Sequence, residues 1–215
     1  MGKIFNKYEC SSNRKARRRL NKVIDDILKG HKPEGNQLIY AKSPKLFKEI
    51  GIPDYEIIMS PNEIVKAILS KNKATKLGYR TWKNDNYHNL GKKTFNKALN
   101  SIISPTFIIQ ENEKKIIIFS EYFDYKIRQI IIPMNIESIS EYKLRRNLYH
   151  VVLSTHGRVS ITNYINKLLN NKGKIIYKNN KKIQHLTNSG RVRYPDSISA
   201  VSINKIAYKN IKIKK

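Results

Sequence analysis

The sequence predicts an α+β protein in which N-terminal helices pack on a twisted antiparallel sheet of about four strands. Two observations support this prediction. Up to residue 105, apolar residues recur at the three- and four-residue spacing of amphipathic helices. From residue 107, the pattern changes to short runs rich in Ile and Val that are broken by turn residues, as in antiparallel strands. Helices followed by a meander of strands are typical of the α+β class.

The helical half begins with a basic helix. Ser12 can cap its first turn, Gly30 can end it, and its apolar stripe lies opposite several arginines and lysines. Pro33 and Gly35 then predict a linker, so we interpret residues 1–37 as a basic helical arm with its linker. Further helices are predicted over residues 44–50, 61–69 and 91–102, with one strand at 55–59.

The second half of the chain supplies the sheet. Its four main strands are predicted over residues 107–110, 114–122, 127–136 and 148–155. A helix at 161–171, a small strand at 174–177 and a weak helix at 181–186 follow. We therefore expect residues 38–194 to form one domain and residues 195–215 to form a basic, poorly ordered tail.

The charge of the chain indicates a polyanionic partner. Its 43 Lys and Arg against 16 Asp and Glu give a formal net charge of +27, and residues 165–215 carry 13 positive charges and one negative charge. Such an excess makes the folded chain repel itself and favours binding to nucleic acid. The longest apolar runs are strand-sized and the first residues are polar, so we expect a soluble protein with no membrane partner.

The residue types offer little to a metal ion or a cofactor. The single cysteine, Cys10, excludes a disulfide within the chain, and the five histidines show no zinc-ligand spacing. We therefore expect no metal and no other cofactor. One competing pattern is present, because Asp54 after Pro53 and Glu113 with Lys115 formally match the signature of restriction-type nucleases, whose carboxylates bind Mg²⁺.

Four short motifs occur in a fixed order between residues 41 and 194. They are Ser43-Pro44 opening a helix that ends at Gly51; Asn86-Tyr87-His88-Asn89-Leu90-Gly91 before a helix that ends near Pro105; Leu153-Ser154-Thr155-His156-Gly157-Arg158 before a helix containing Tyr164-Ile165; and Ile175-Ile176-Tyr177-Lys178. With three strands after the second motif, this order resembles the C-terminal domain of phage MuF-type proteins. That family belongs to the barnase, EndoU, colicin and RelE (BECR) nuclease superfamily.

The resemblance implies both a fold and a chemistry. Residues 38–194 are expected to form a BECR-like nuclease domain whose exposed sheet face holds RNA. The implied activity is that of a metal-independent ribonuclease toxin or effector, associated with a phage or a toxin system, which cleaves RNA such as tRNA by attack of the 2′-hydroxyl. The resemblance also implies a location in the bacterial cytoplasm or the virion, and an acidic immunity or antitoxin protein as a partner. The alternative is an inactive phage module of the same fold that binds nucleic acid or protein.

Cleaving RNA without a metal requires a base, an acid and cations on the phosphate. His88 is the leading candidate because it lies in a polar segment directly before a helix, whose N-terminus favours a phosphate. Ser154, Thr155 and Arg158 surround a glycine turn at a strand end, where backbone amides can hold an anion. We predict that these four residues are catalytic. Ordinary capped loops contain the same residue types, so a purely structural role stays open.

A second group of residues is predicted to contact RNA without taking part in the chemistry. Tyr122 and Arg128 flank the predicted hairpin at Asp124, where an aromatic ring and a cation can meet a base and a phosphate. The predicted RNA-binding residues are Lys92, Tyr122, Arg128, His156 and Tyr164.

Overall fold

The computed structural model describes residues 11–199, so residues 1–10 and 200–215, with most of the predicted tail, lie outside it. The helices are α1 (Ser11–Leu28), α2 (Lys45–Glu49), α3 (Pro61–Ile68), α4 (Lys71–Lys76), α5 (Gly91–Asn100), α6 (Ile161–Asn170), α7 (Asn180–Asn188) and α8 (Asp196–Ser199). The strands are β1 (Gln37–Tyr40), β2 (Ile57–Met59), β3 (Phe107–Asn112), β4 (Lys115–Phe123), β5 (Gln129–Tyr142), β6 (Arg145–Val152), β7 (His156–Gly157) and β8 (Lys174–Lys178). In this described part of the chain, no helix has the length and apolar character needed to span a bilayer.

The strands form one mixed sheet, and the prediction of about four antiparallel strands was wrong. The order within residues 11–199 is β1-β2-β6-β5-β4-β3-β8, and β7 pairs with β5 to complete an eight-stranded sheet. β2 lies parallel to β6, with Ile57 beside His150. The α+β class itself is confirmed. The error arose because short strands acquire their partners through tertiary packing, which local residue patterns do not report.

The central strands are buried on both faces because helices cover each side of the sheet. Ile108, Ile118 and Ile132 belong to a core that they share with α1, α3 and α5. Their alternate neighbours Phe107 and Phe119 belong to a second core shared with α6, α7 and α8. Successive side chains of a strand point to opposite faces, so continuous apolar runs supply both cores. The exposed sheet face implied by the resemblance is therefore not found on β3, most of β4 or the first half of β5.

The N-terminal helix packs into the main core, although the sequence sets it apart as an arm. Ile24 and Ile27 of α1 are fully buried there. Asn13 also attaches the helix to the segment after β1 through two hydrogen bonds with the Lys42 backbone. Its side-chain amide donates to the Lys42 carbonyl at 3.2 Å, and its side-chain oxygen accepts from the Lys42 N–H at 2.9 Å. Helix α1 therefore contributes to the same folded body as the sheet.

Strand β5 is the longest strand and reaches two opposite ends of the sheet. At its first end, Ile131 pairs with His156 of β7. At its last end, Tyr142 pairs with Arg145 across the turn into β6. Between them, the register shifts near Glu137, which has a positive φ of 54°. Each end of β5 borders a polar cavity lined by cations.

Candidate active site

His88 lies in a polar cleft and is held there by its own backbone. The N–H groups of His88 and Leu90 donate to the carbonyls of Lys66 and Ala67 at 2.8 and 2.9 Å. These carbonyls belong to the last turn of α3, where a helix leaves its acceptors without intrahelical partners. The sequence before α5 therefore docks on the end of α3, and this docking positions the imidazole.

His156 approaches the same cleft from β7. Its backbone pairs with Ile131 of β5, so the sheet sets its position. The side chain of Ser154 orients its ring, since Ser154 Oγ and His156 Nδ1 are hydrogen-bonded at 3.0 Å. That bond occupies Nδ1, so Nε2 is the nitrogen through which His156 can exchange a proton with a ligand.

The two imidazole rings stack on each other. Their centroids lie 4.9 Å apart, and the ring planes differ by 24°. The pKa of both groups is lowered from 6.5 to about 4, mainly by burial, with smaller contributions from Arg128 at His88 and from His88 and Arg158 at His156. Both rings are therefore neutral at pH 7, and each has a nitrogen that can accept a proton.

A buried carboxylate orients Arg128 in the cleft. Asp124 accepts hydrogen bonds from the N–H groups of Lys126 and Arg128, both at 2.9 Å, and from Arg128 Nε at 2.7 Å. Gly157 provides the space for this arrangement, because a Cβ at that position would lie 2.6 Å from Asp124 Cγ. The guanidinium of Arg128 is thus held in one orientation, which favours contact with a planar pair of oxygens.

Arg158 is positioned by an aromatic ring. Its guanidinium carbon lies 4.1 Å from the centroid of the Tyr164 ring, in the first turn of α6. Such a cation–π contact restrains one face of the guanidinium and leaves its N–H groups available at the edge. Two arginines, each with its own support, therefore flank the histidine pair.

These groups line one cleft with a volume of about 790 Å³. Its lining contains two carboxylates, Glu63 and Asp85, and five cations, Lys66, Lys71, Lys126, Arg128 and Arg158. The Lys66 ammonium lies 3.0 Å from the Asp85 carboxylate and 3.6 Å from Glu63, and the hydrogen bond to Asp85 is the main cause of its raised pKa. The Lys71 ammonium donates to the Trp82 carbonyl at 2.6 Å. These two lysines therefore stabilise the loop before His88. The other three cations, Lys126, Arg128 and Arg158, are better placed to bind an anion.

Comparisons with protein-family models, with curated proteins and with solved structures find no match for this chain. The MuF and BECR resemblance therefore stays a prediction from short motifs.

Five of the nine predicted site residues line the cleft: His88, Arg128, Ser154, His156 and Arg158. Tyr164 supports Arg158 through its ring. Thr155 is fully buried instead, and its Oγ1 has no hydrogen-bond partner within residues 11–199. A residue between two cleft residues of an extended segment points the opposite way, which explains why Thr155 is absent from the lining.

Lys92 and Tyr122 lie outside the cleft. The Lys92 ammonium contacts the Asp25 carboxylate and so joins α5 to α1. Tyr122 packs against the main core, with the Lys97 ammonium 5.9 Å from its ring centroid. Both residues are engaged in contacts between elements, and neither lies beside the histidine pair.

Tyr125 and Lys126 line the cleft from the turn between β4 and β5, and neither was predicted from the sequence. Asp124 was predicted only as a turn residue. The sequence does contain a relevant pattern. An aspartate that begins a tight turn accepts hydrogen bonds from backbone N–H groups two or more residues later, and so fixes the conformation of the residues that follow it. Its ion pair with Arg128 depends on burial and could not be read from the spacing.

The restriction-type pattern does not come together. Asp54 precedes β2 and accepts from the Ser43 N–H at 2.9 Å, whereas Glu113 lies in the turn between β3 and β4. Strands β6 and β5 lie between β2 and β4, so the strands beside which Asp54 and Glu113 lie are roughly 14 Å apart across the sheet. Within residues 11–199, no group of three or more His, Cys, Asp or Glu side chains has a geometry that could hold a metal ion.

Proposed function

We propose that the protein is a metal-independent endoribonuclease in which the 2′-hydroxyl of RNA attacks the adjacent phosphate. The stacked imidazoles of His88 and His156, in one cleft with Arg128 and Arg158, are the observation that supports this most directly. Two groups that transfer protons and two guanidinium groups supply the base, the acid and the phosphate ligands that the reaction requires. The resemblance of the motifs to BECR nucleases suggests the same chemistry.

The two imidazoles divide the proton transfers between them. One neutral ring accepts the 2′-proton while the 2′-oxygen bonds to phosphorus. The bond from phosphorus to the 5′-oxygen breaks, and the leaving oxygen takes a proton from the other ring. The products are a 2′,3′-cyclic phosphate and a 5′-hydroxyl. A bound phosphate raises the pKa of both rings from about 4, because it places negative charge beside them, and this allows one ring to carry the proton.

The arginines act on the charge that develops at phosphorus. Arg128 is pre-oriented by Asp124, and Arg158 by Tyr164. Each guanidinium can donate two parallel N–H groups to phosphoryl oxygens. Because both are held before the substrate arrives, little reorganisation is needed as the negative charge grows in the transition state.

The substrate is proposed to be RNA that is unpaired at the cut site. The ring of Tyr125 is 64% exposed and lies at the edge of the cleft, where an unstacked base can rest on it. The net charge of +27 favours a polyanion of this kind, and tRNA is one candidate. An acidic immunity or antitoxin protein that covers the cleft, and a location in a bacterial cytoplasm or virion, complete the proposal.

Histidine variants test the chemistry. We expect His88→Ala and His156→Ala each to lower the cleavage rate about 10²-fold to 10⁴-fold, the usual contribution of positioned proton transfer. Affinity for a 2′-O-methyl RNA, which cannot be cleaved, should change less than about 3-fold, because many cations share the binding. His185→Ala is the matched control, since His185 is exposed on α7 and should keep the wild-type rate.

Three results would contradict the proposal. Wild-type protein that leaves total RNA intact, yet binds it, would favour the inactive binding module. Products that carry a 5′-phosphate rather than a 2′,3′-cyclic phosphate would exclude attack by the 2′-hydroxyl. Cleavage that stops in EDTA and returns with Mg²⁺ would indicate a metal-dependent reaction.

A further inference from the structure

A second basic cavity lies between α1 and the β5–β6 hairpin, and we call it the hairpin groove. Its volume is about 570 Å³, and four cations from the two elements line it: Lys15, Arg19, Lys143 and Arg145. Tyr142 and Tyr149 also line it, together with one carboxylate, Glu56. An excess of three positive charges is therefore concentrated in a concave surface, where low-dielectric walls strengthen the local potential.

The groove continues into a neighbouring cavity of about 840 Å³, which shares Arg19 and Lys143 with it. The neighbouring cavity contains two carboxylates, Glu34 and Glu141, so its charges balance. Over both cavities four cations stand against three carboxylates, and Lys15 and Arg145 line the part from which Glu34 and Glu141 are absent.

Three of the four cations of the groove have no anionic partner within residues 11–199, and the fourth, Lys143, lies 5.5 Å from the centroid of the Tyr142 ring. Lys15, Arg19 and Arg145 are exposed and form no ion pair or side-chain hydrogen bond within residues 11–199. Arg17 of the same helix differs, since it donates to the Asn96 carbonyl at 3.1 Å. Unpaired cations held close together repel one another, and an anionic ligand removes that repulsion.

The hairpin turn that borders the groove has an unfavourable backbone. Lys143 and Leu144 have φ values of 50° and 62°, in a two-residue turn where Asn-Gly is favoured. Leu144 is 94% exposed, so burial of its side chain does not offset the strain. Strained backbone conformations cluster at functional sites, and here the strained turn carries a lysine of the groove.

We infer that the hairpin groove binds the phosphate backbone of a second segment of the RNA whose cut site lies in the histidine cleft. This inference rests on the proposed function, because it takes the ligand of the cleft to be RNA. Along β5, the distance from Ile131, opposite His156, to Tyr142 is about 35 Å. A folded stem-loop can reach both sites, whereas an oligonucleotide of a few residues reaches only one.

The shape of the surface favours RNA over an acidic protein. The exposed side of α1 extends the groove with basic residues on its successive turns: Arg14, Lys15, Arg18, Arg19 and Lys22. The helix has 18 residues and is therefore about 27 Å long. A row of cations over this length matches the regular charge spacing of a nucleic-acid backbone. When one RNA molecule occupies both this surface and the cleft, binding at one site raises the effective concentration of the RNA at the other.

The test compares two triple variants that remove the same charge. The groove variant is Lys15→Gln, Arg19→Gln and Arg145→Gln. The control is Lys167→Gln, Lys174→Gln and Lys181→Gln, which are exposed residues of α6, β8 and α7. Binding is measured by fluorescence anisotropy with a 2′-O-methyl stem-loop of about 30 nucleotides and with a 2′-O-methyl pentanucleotide. Neither probe can be cleaved, so the result does not depend on the nuclease activity.

We expect the groove variant to bind the stem-loop about 10-fold to 100-fold more weakly and to lower the slope of log affinity against log salt by about 2 to 3. The control should lose at most about 3-fold, and the pentanucleotide should bind both variants equally. Equal losses in the two variants, or no loss in either, would overturn the inference. A parallel loss for the pentanucleotide would also overturn it, because the groove would then not be a separate site. If the groove variant binds RNA normally but loses an acidic protein partner, the groove is a protein-binding surface instead.

Discussion

Replacing Gly157 with alanine tests how the cleft holds Arg128. Gly157 lies opposite Ile130 where β7 pairs with β5. The Cβ of an alanine there would lie 2.6 Å from Asp124 Cγ and 3.0 Å from Arg128 Cβ. The Asp124 side chain must therefore move by roughly 1 Å to restore a normal separation. That movement weakens the three hydrogen bonds that Asp124 accepts, two from the backbone N–H groups of Lys126 and Arg128 and one from the Arg128 side chain.

We expect Gly157→Ala to lower the free energy of unfolding by about 3 kcal/mol. Removing one partner of a buried ion pair costs about 3–5 kcal/mol, which sets the upper range for displacing Asp124. The lower end applies because the Arg128 side chain is 27% exposed, whereas that of Asp124 is 0% exposed. In a domain of this size, the loss corresponds to a fall in Tm of about 6–12 °C. Cleavage of RNA should also slow, since the guanidinium loses its fixed orientation.

Urea unfolding followed by circular dichroism measures this effect, and a double variant isolates its cause. In an Asp124→Ala protein, the alanine at position 157 meets no carboxylate. The close contact with Arg128 Cβ at 3.0 Å remains, so in the Asp124→Ala background the Gly157→Ala change should cost clearly less than the roughly 3 kcal/mol that it costs in the wild type. Additive losses from the two changes would refute the steric argument. So would a Gly157→Ala protein that unfolds within about 1 kcal/mol of the wild type.

Three further predictions follow from other parts of the structure. Burial and nearby cations lower the pKa of His88 and His156 from 6.5 to about 4, so the unfolded chain binds more protons between these values and stability rises with pH across that window. Urea midpoints at pH 4.5 and 7 should show this rise, and the double variant His88→Asn with His156→Asn should show a smaller one. Tyr164→Leu should lower kcat/KM about 3-fold to 10-fold by freeing Arg158, whereas Tyr164→Phe should retain the wild-type value because it keeps the cation–π contact. Leu20→Ala should lower the free energy of unfolding in urea by about 2–5 kcal/mol, because α1 belongs to the main core. A loss below about 0.5 kcal/mol, typical of surface positions, would favour a separate helical arm instead.

Much of the candidate site was predictable because its local signals are strong. A polar segment before a helix and a glycine turn at a strand end indicate places where side chains can meet an anion, and these signals led to His88, Ser154 and Arg158. Two predicted site residues lie elsewhere, for different reasons. Thr155 follows Ser154 in an extended segment and so points away from the cleft. Lys92 faces α1, and that neighbour appears only when the chain is folded.

Residue periodicity and caps specify the α+β class, most helices and the central strands, because these properties depend on neighbours along the chain. The order of the eight strands, the parallel pairing of β2 with β6 and the two separate cores depend on contacts between distant segments. The stacking of His88 on His156 has the same origin. Such contacts depend on the free energy of the whole folded chain, which is the sum of many weak interactions between distant residues. The residues of one segment do not determine that sum.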